Sequence, residues 1–120
     1  MVNQNDATTT VEKVGLYEVT KPLLQAMYSE FKEFSKKKPE EVVSKAKVKV
    51  VNRLLTKCQN VLESEASIDY LDLLDEDDVP QNSDIVLMLS QYVAAMKQFH
   101  TTYYRRERYG HEYYWATEQQ

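Results

Sequence analysis

Apolar residues recur at intervals of three and four along most of the chain, which is the spacing of one face of an α-helix. Three segments show the pattern most clearly: residues 11–37, residues 40–65 and the segment that begins at Asp84. The last of them carries the most regular stripe, formed by Ile85, Leu89, Tyr92, Met96, Phe99 and Tyr103. This stripe has the spacing found between closely packed helices. The pattern therefore predicts three long helices with a shared core.

Proline and polar stretches divide these segments. Pro22 predicts a break or kink near Thr20, which would cap the second piece of the first helix. Residues 67–75 are predicted to form a short amphipathic turn or helix, and the "DEDDVPQNSD" stretch after it is predicted to be a loop. The fold class expected is an all-α, single-domain bundle of three to four helices over residues 11–104.

The two ends of the chain differ from the bundle in composition. Residues 1–10, "MVNQNDATTT", are small and polar and are expected to form a disordered tail. Residues 105–120 are rich in aromatic residues and arginine and are expected to form a C-terminal helical segment that projects from the bundle or packs loosely on it.

Composition agrees with one globular domain. The chain has 120 residues, of which 42% are hydrophobic and 28% are charged, a balance typical of folded proteins. It has two glycines and no Asn-Gly or Asp-Gly pair, so no tight β-hairpin is signalled. This scarcity of turn residues favours long helices.

Several classes of protein are disfavoured. One cysteine and two histidines cannot form a Cys/His zinc site, so neither a metal nor a cofactor is predicted. No apolar run approaches the length of a membrane span, and the first residues have neither the basic nor the apolar region of a secretory signal. A phosphate-binding glycine loop, an HExxH motif, a nucleophile elbow and a CxxC pair are all missing. We expect an intracellular, cytoplasmic protein; the sequence leaves open whether it is an enzyme and favours a non-catalytic role.

Charges are segregated along the sequence. Lys45, Lys49, Arg53 and Lys57 repeat every four residues and form a basic face of the second helix. Nine acidic residues and no basic residue lie between Glu63 and Asp84. Either set is able to attract a charged partner, a second copy of the chain or the other set, although a solvated surface is the simpler interpretation of the basic face. The formal net charge of −4 does not favour a dedicated nucleic-acid binder.

The C-terminal segment combines the residue types that dominate protein-binding hot spots. On a helix its rings would not share one stripe, so some are expected to be exposed and to await a partner. The predicted partner-binding residues are Tyr103, Tyr104, Arg105, Arg106, Arg108, Tyr109, Tyr113, Tyr114 and Trp115.

Within this segment, Arg106, four residues, His111, one residue and Tyr113 form a recognisable pattern. It resembles the Arg-x4-His-x-Tyr motif of the HEPN-type toxin nucleases. The resemblance implies an all-α bundle whose two subunits face one shared cleft that cuts RNA without a metal. It further implies that Arg106 holds phosphate charge, that His111 serves as acid or base, and that a partner antitoxin modifies Tyr113. A histidine titrates near neutral pH and an arginine matches a phosphate bidentately, as such chemistry needs.

Three functions follow from these observations. The first is a small non-catalytic accessory, adaptor or inhibitor subunit that docks on a larger protein assembly through residues 105–120 and its charged faces. The second is a metal-independent ribonuclease that uses Arg106 and His111. The third is a nucleic-acid-binding accessory factor in which Arg105, Arg106 and Arg108 contact phosphates while tyrosines stack on bases. Another protein is the expected partner, and a second copy is a further candidate because the stripe at residues 85–103 can continue between copies.

Overall fold

The computed structural model of the protein describes residues 7–118. In that range it contains three α-helices, one 3-10 turn and one two-stranded antiparallel sheet. The elements in chain order are α1 (Val11–Lys37), α2 (Lys45–Leu62), the 3-10 turn (Ala66–Tyr70), α3 (Asn82–Tyr103), β1 (Tyr104–Arg106) and β2 (Tyr113–Trp115). The protein is mostly helical, as expected, but it is not purely all-α.

Helix α1 is a single continuous element. Thr10 caps its first turn by accepting a hydrogen bond from the Lys13 amide at 3.1 Å. The predicted break near Thr20 does not occur, because the helix continues through Pro22 to Lys37. Thr20 lies inside the helix, where its hydroxyl donates to the Leu16 carbonyl at 2.8 Å.

Helix α2 begins later than the apolar pattern indicates. The pattern begins at residue 40, whereas the helix begins at Lys45 with Ser44 as its cap. The residues before it bond to the start of α3 instead: the Val43 amide donates to the Pro80 carbonyl at 2.8 Å, and the Asn82 amide donates to the Glu41 carbonyl at 3.0 Å. This pairing with a distant segment removes residues 40–43 from the helix.

The predicted stripe of α3 forms the centre of the core. Its members are 8% exposed or less, and most are fully buried. The Tyr92 hydroxyl is satisfied inside the core, because it donates to the Asp72 carbonyl at 2.7 Å and accepts from Gln59 Nε2 at 3.1 Å. Burial raises the pKa of this phenol to about 12. Since other parts of the chain cover the stripe, it offers no surface on which a second copy could continue the packing.

The prediction of a helical C-terminal segment is wrong. Helix α3 ends at Tyr103, and the chain turns into the extended strand β1, which pairs with β2. The Ala116 amide then donates to the Tyr103 carbonyl at 2.7 Å, which ties the end of the hairpin to the end of α3. Residues 104–115 form a β-hairpin because the strand hydrogen bonds and this tie satisfy backbone groups that a helix would have paired internally.

The predicted disordered tail, residues 1–10, lies partly outside the described residues. Residues 7–10 are held against the hairpin. The Thr9 amide donates to the Ala116 carbonyl at 2.9 Å, and the Glu118 amide donates to the Thr9 carbonyl at 2.9 Å. Thr9 is also buried, with 5% of its surface exposed. This stretch therefore belongs to the packed structure.

Replacement of a core leucine should cost far more stability than replacement of a surface leucine. Leu55 is fully buried, so Leu55→Ala should lower the free energy of unfolding by about 2–5 kcal/mol through lost burial and a residual cavity. Leu87 on α3 is 63% exposed, and Leu87→Ala should change the free energy of unfolding by about 0.5 kcal/mol or less. Urea unfolding followed by circular dichroism measures both, and equal losses would contradict the described core.

Candidate functional site

The hairpin carries all of the residues predicted for the C-terminal site except Tyr103. Its register pairs Tyr104 with Trp115, Arg105 with Tyr114, and Arg106 with Tyr113. Paired residues on antiparallel strands project to the same face, and successive pairs alternate. The first and third pairs therefore share one face, and Arg105 with Tyr114 lies on the other.

The base of the hairpin is anchored in an aromatic cluster. The Trp115 ring lies 5.3 Å from the ring of Tyr17, 5.5 Å from that of His100 and 5.1 Å from that of Tyr104, measured between centroids. Edge and tilted contacts at these distances are favourable for aromatic rings. With Ala116 buried beside it, Trp115 fixes the hairpin to α1 and α3.

Tyr103 belongs to the core and is not part of an exposed docking surface. It is 8% exposed, and its hydroxyl donates to Glu65 Oε2 at 2.8 Å. Burial, and then the neighbouring Glu65 carboxylate, raise the pKa of this phenol to about 12. The hydrogen bond links the end of α3 to the segment that follows α2.

Arg105 is also engaged within the chain. Its guanidinium donates to the Ala7 carbonyl and, at 3.5 Å, to the Thr102 carbonyl. The side chain is half-buried by these contacts. Its structural role is to hold the segment before α1 against the hairpin.

The remaining predicted residues form an exposed surface, which we call the hairpin tip: Arg106, Arg108, Tyr109, Tyr113 and Tyr114. Tyr109 is 93% exposed, Tyr113 57% and Tyr114 47%. The Tyr113 ring stacks on the half-buried Tyr104 ring at 5.4 Å and 9°. The Arg108 guanidinium lies 5.6 Å from the Tyr109 ring centre. The tip thus presents aromatic and cationic groups on a fixed base.

The structure also brings together the residues of the nuclease-like pattern. The Arg106 guanidinium lies 3.1 Å from His111 Nδ1, and Arg106 pairs with Tyr113 across the strands. An arginine can only donate a hydrogen bond, so His111 Nδ1 would be the acceptor in this contact. Arg106 and His111 are both exposed on a hairpin, whereas the resemblance implies a cleft in an all-α bundle. The carboxylate of Glu107, the residue after Arg106, lies beside Gly110, the residue before His111.

The basic face makes little contact with the acidic stretch. Lys45 Nζ lies 3.4 Å from Asp77 Oδ1, and both side chains are exposed. The other three cations, Lys49, Arg53 and Lys57, form no ion pair with a residue in the range 7–118. Most of this face therefore remains available to another charged group.

Between residues 7 and 118, no three or more His, Cys, Asp and Glu side chains are grouped so that they could hold a metal ion. None of the helices described is both long and apolar enough to span a bilayer. Comparison with protein-family models, with curated proteins and with solved structures finds no match to this chain.

The sequence-based prediction includes the residues of the tip but not the residues that position it. Tyr17 and His100 pack on Trp115 from two different helices, and Ala7 receives Arg105 from the start of the chain. Neither Tyr17 nor His100 is among the residues predicted for the C-terminal site. Only the three-dimensional packing reveals these anchors.

Tyr103→Phe tests whether Tyr103 is a buried core residue, because removal of a buried phenol should change how stability depends on pH. An unfolded tyrosine titrates near pH 10, and the folded pKa of about 12 is higher, so the phenol stabilises the fold fully below pH 10. This stabilisation is lost as the pH rises towards 12. At pH 8 the free energy of unfolding of the wild type should exceed that of the variant by about 1 kcal/mol, because the wild type keeps the hydrogen bond to Glu65.

Urea unfolding of both proteins at pH 8, 10 and 11.5 measures the difference, and titrations that the two proteins share cancel from it. A difference that stays constant over this range would contradict a buried, hydrogen-bonded Tyr103.

Proposed function

We propose that this chain is a small non-catalytic interaction protein that docks on a larger protein assembly through the hairpin tip. The observation that carries the proposal is the contrast between the two parts of the hairpin. Its base is packed into the aromatic cluster around Trp115, while the tip exposes three tyrosines and two arginines. Tyrosine and arginine are enriched among the residues that contribute most to protein–protein affinity.

The anchored base supports this role energetically. A binding segment that is ordered only on contact loses conformational freedom at that moment, which reduces affinity. Here the strand pairing, the Ala116 to Tyr103 hydrogen bond and the stacking of Tyr113 on Tyr104 already order the tip's support. The acidic stretch and the basic face would orient the approaching partner and raise its association rate.

The alternative with a specific supporting observation is the metal-independent ribonuclease. Its support is the 3.1 Å approach of Arg106 to His111. Three features favour docking over cleavage: both side chains are exposed, the segment is a hairpin, and the Glu107 carboxylate would repel a phosphate. The nuclease therefore ranks second.

Nucleic-acid binding without cleavage ranks third. Of the three arginines that this hypothesis needs, Arg105 is bonded to backbone carbonyls of the chain itself. The acidic side chains of Glu107 and Glu112 lie in the loop between the strands and offset the charge of Arg106 and Arg108. Weak attraction that falls steeply with salt is the behaviour expected if the tip does bind a phosphate backbone.

A photo-cross-linking residue at the tip should capture the partner. We expect p-benzoylphenylalanine in place of Tyr109 to give a discrete cross-linked protein in the chain's native cells. The same residue in place of Tyr70 is the matched control, because that tyrosine is 77% exposed and lies outside the hairpin. Adducts of the same size and yield at both positions would contradict docking through the tip.

With the captured partner purified, Tyr109→Ala and Tyr114→Ala should each weaken binding about tenfold or more, as measured by calorimetry. His111→Ala should change the affinity by less than about twofold. A larger effect of His111→Ala than of both tyrosine variants would favour the nuclease hypothesis.

The purified protein should not cut RNA. Incubation of cellular RNA with the wild type and with His111→Ala, in the presence of a chelator, is expected to leave the RNA intact in both cases. Cleavage by the wild type that is lost in the variant would make Arg106 and His111 an active site and would overturn the docking proposal. Filter binding at two salt concentrations, on the same samples, detects binding without cleavage.

A further inference from the structure

An apolar groove runs between α1 and α2, and no residue of the hairpin lines it. Its volume is about 540 Å³. Val19 and Leu23 on α1 are 62% and 55% exposed, and Val50 on α2 is 47% exposed. Leu16, Met27 and Leu54 form a half-buried floor. Apolar side chains this exposed and this close together are typical of a surface that another element covers.

The groove lies between two contacts that hold the helices together. At one end, Lys13 Nζ lies 3.4 Å from Glu63 Oε1 and donates to Ser64 Oγ at 2.7 Å. At the other end, Lys47 Nζ lies 5.4 Å from the Phe34 ring centre, a cation–π distance. The two helices are therefore held together at both ends of the groove, and the groove exists without a ligand.

The floor of the groove requires no polar ligand. Thr20 is the polar residue that reaches it, and the Thr20 hydroxyl already donates to the Leu16 carbonyl at 2.8 Å. Recognition along the floor must therefore come from apolar side chains.

The rim supplies charge of one dominant sign. Arg53 and Lys57 line the groove on the α2 side, and Lys49 precedes them by one turn on the same face. None of the three forms an ion pair with another described residue. Glu30 is the one acidic residue among those that line the groove.

We propose that the groove binds an amphipathic helix of another protein, with its apolar stripe on the floor and acidic residues against Arg53 and Lys57. The lining of α1 extends from Leu16 to Glu30, which at 1.5 Å per residue is about 21 Å. A helix of about four turns has this length. Such a helix would complete a four-helix arrangement, as in helix-in-groove recognition.

Charge distinguishes this occupant from the two other candidates. A second copy would bring the same groove, whose lining has two cations, Arg53 and Lys57, and one acidic residue, Glu30, so the two copies together would lack enough acidic partners for their cations. An anionic membrane would satisfy the cations, but a concave groove between two helices cannot press its floor against a flat surface. The acidic helix satisfies both the shape and the charge.

Two synthetic peptides of about 18 residues test the proposal. Both are alanine-based with one leucine stripe, and the residues flanking that stripe are glutamate in one peptide and lysine in the other. Fluorescence anisotropy of the labelled peptides measures binding to the full chain. We expect the glutamate peptide to bind about tenfold or more tightly than the lysine peptide. Arg53→Glu with Lys57→Glu should reverse the preference.

Leu23→Asp should weaken binding of the glutamate peptide about tenfold, because it places a charge on the groove. Leu87→Asp is the matched control, since Leu87 is a similarly exposed helical leucine that does not line the groove, and it should bind as the wild type does. Circular dichroism verifies that both variants fold. Tyr109→Ala should also bind normally, which separates failure of this proposal from failure of docking through the hairpin tip.

Several results would overturn the proposal. Equal binding of the two peptides, no binding of either, or equal loss in Leu23→Asp and Leu87→Asp would each do so. Light scattering that shows a wild-type dimer and a monomeric Leu23→Asp would assign the groove to a second copy. Co-sedimentation with phosphatidylserine vesicles that only Leu23→Asp abolishes would assign it to a membrane.

Discussion

Burial of the α3 stripe is the interaction on which the rest of the structure depends. Ile85, Leu89, Tyr92 and Phe99 are wholly removed from solvent, and burial of each such side chain contributes about 1.5–3 kcal/mol before entropy is counted. The stripe fixes α3 within the bundle, and its last members lead directly into the aromatic cluster. Because Phe99 contacts both Tyr17 and Trp115, the core and the hairpin base form one continuous packed body.

The helices could be predicted from the sequence because helical periodicity is a local property that apolar residues record directly. The boundaries of the helices could not be predicted where a distant segment competes for the same backbone hydrogen bonds. Residues 40–43 fit the helical pattern but bond to the segment around Pro80 and Asn82. The hairpin escaped prediction for a related reason. Its strands have three residues each, its turn lacks an Asn-Gly or Asp-Gly pair, and its stability comes from rings on α1 and α3.

Composition located the candidate site, but its geometry depended on the type of secondary structure. The identity of the aromatic and arginine residues was enough to mark residues 103–115. Whether a given ring faces inward depends on alternation along a strand and on what covers each face. Hence Tyr103, Arg105 and Trp115 have structural roles, while Tyr109 and Tyr114 remain exposed. On α1, likewise, Leu24 faces the core and its neighbour Leu23 faces the groove.

The hydrogen bond from Arg105 to Ala7 joins residues that are 98 positions apart. Closing so long a loop carries an entropic cost that is recovered only when the helices between its ends have already docked. The hairpin base should therefore assemble late in folding. Under the proposed docking, a partner that requires the ordered tip would bind finished chains and not unfinished ones, and binding would then act as a check on folding.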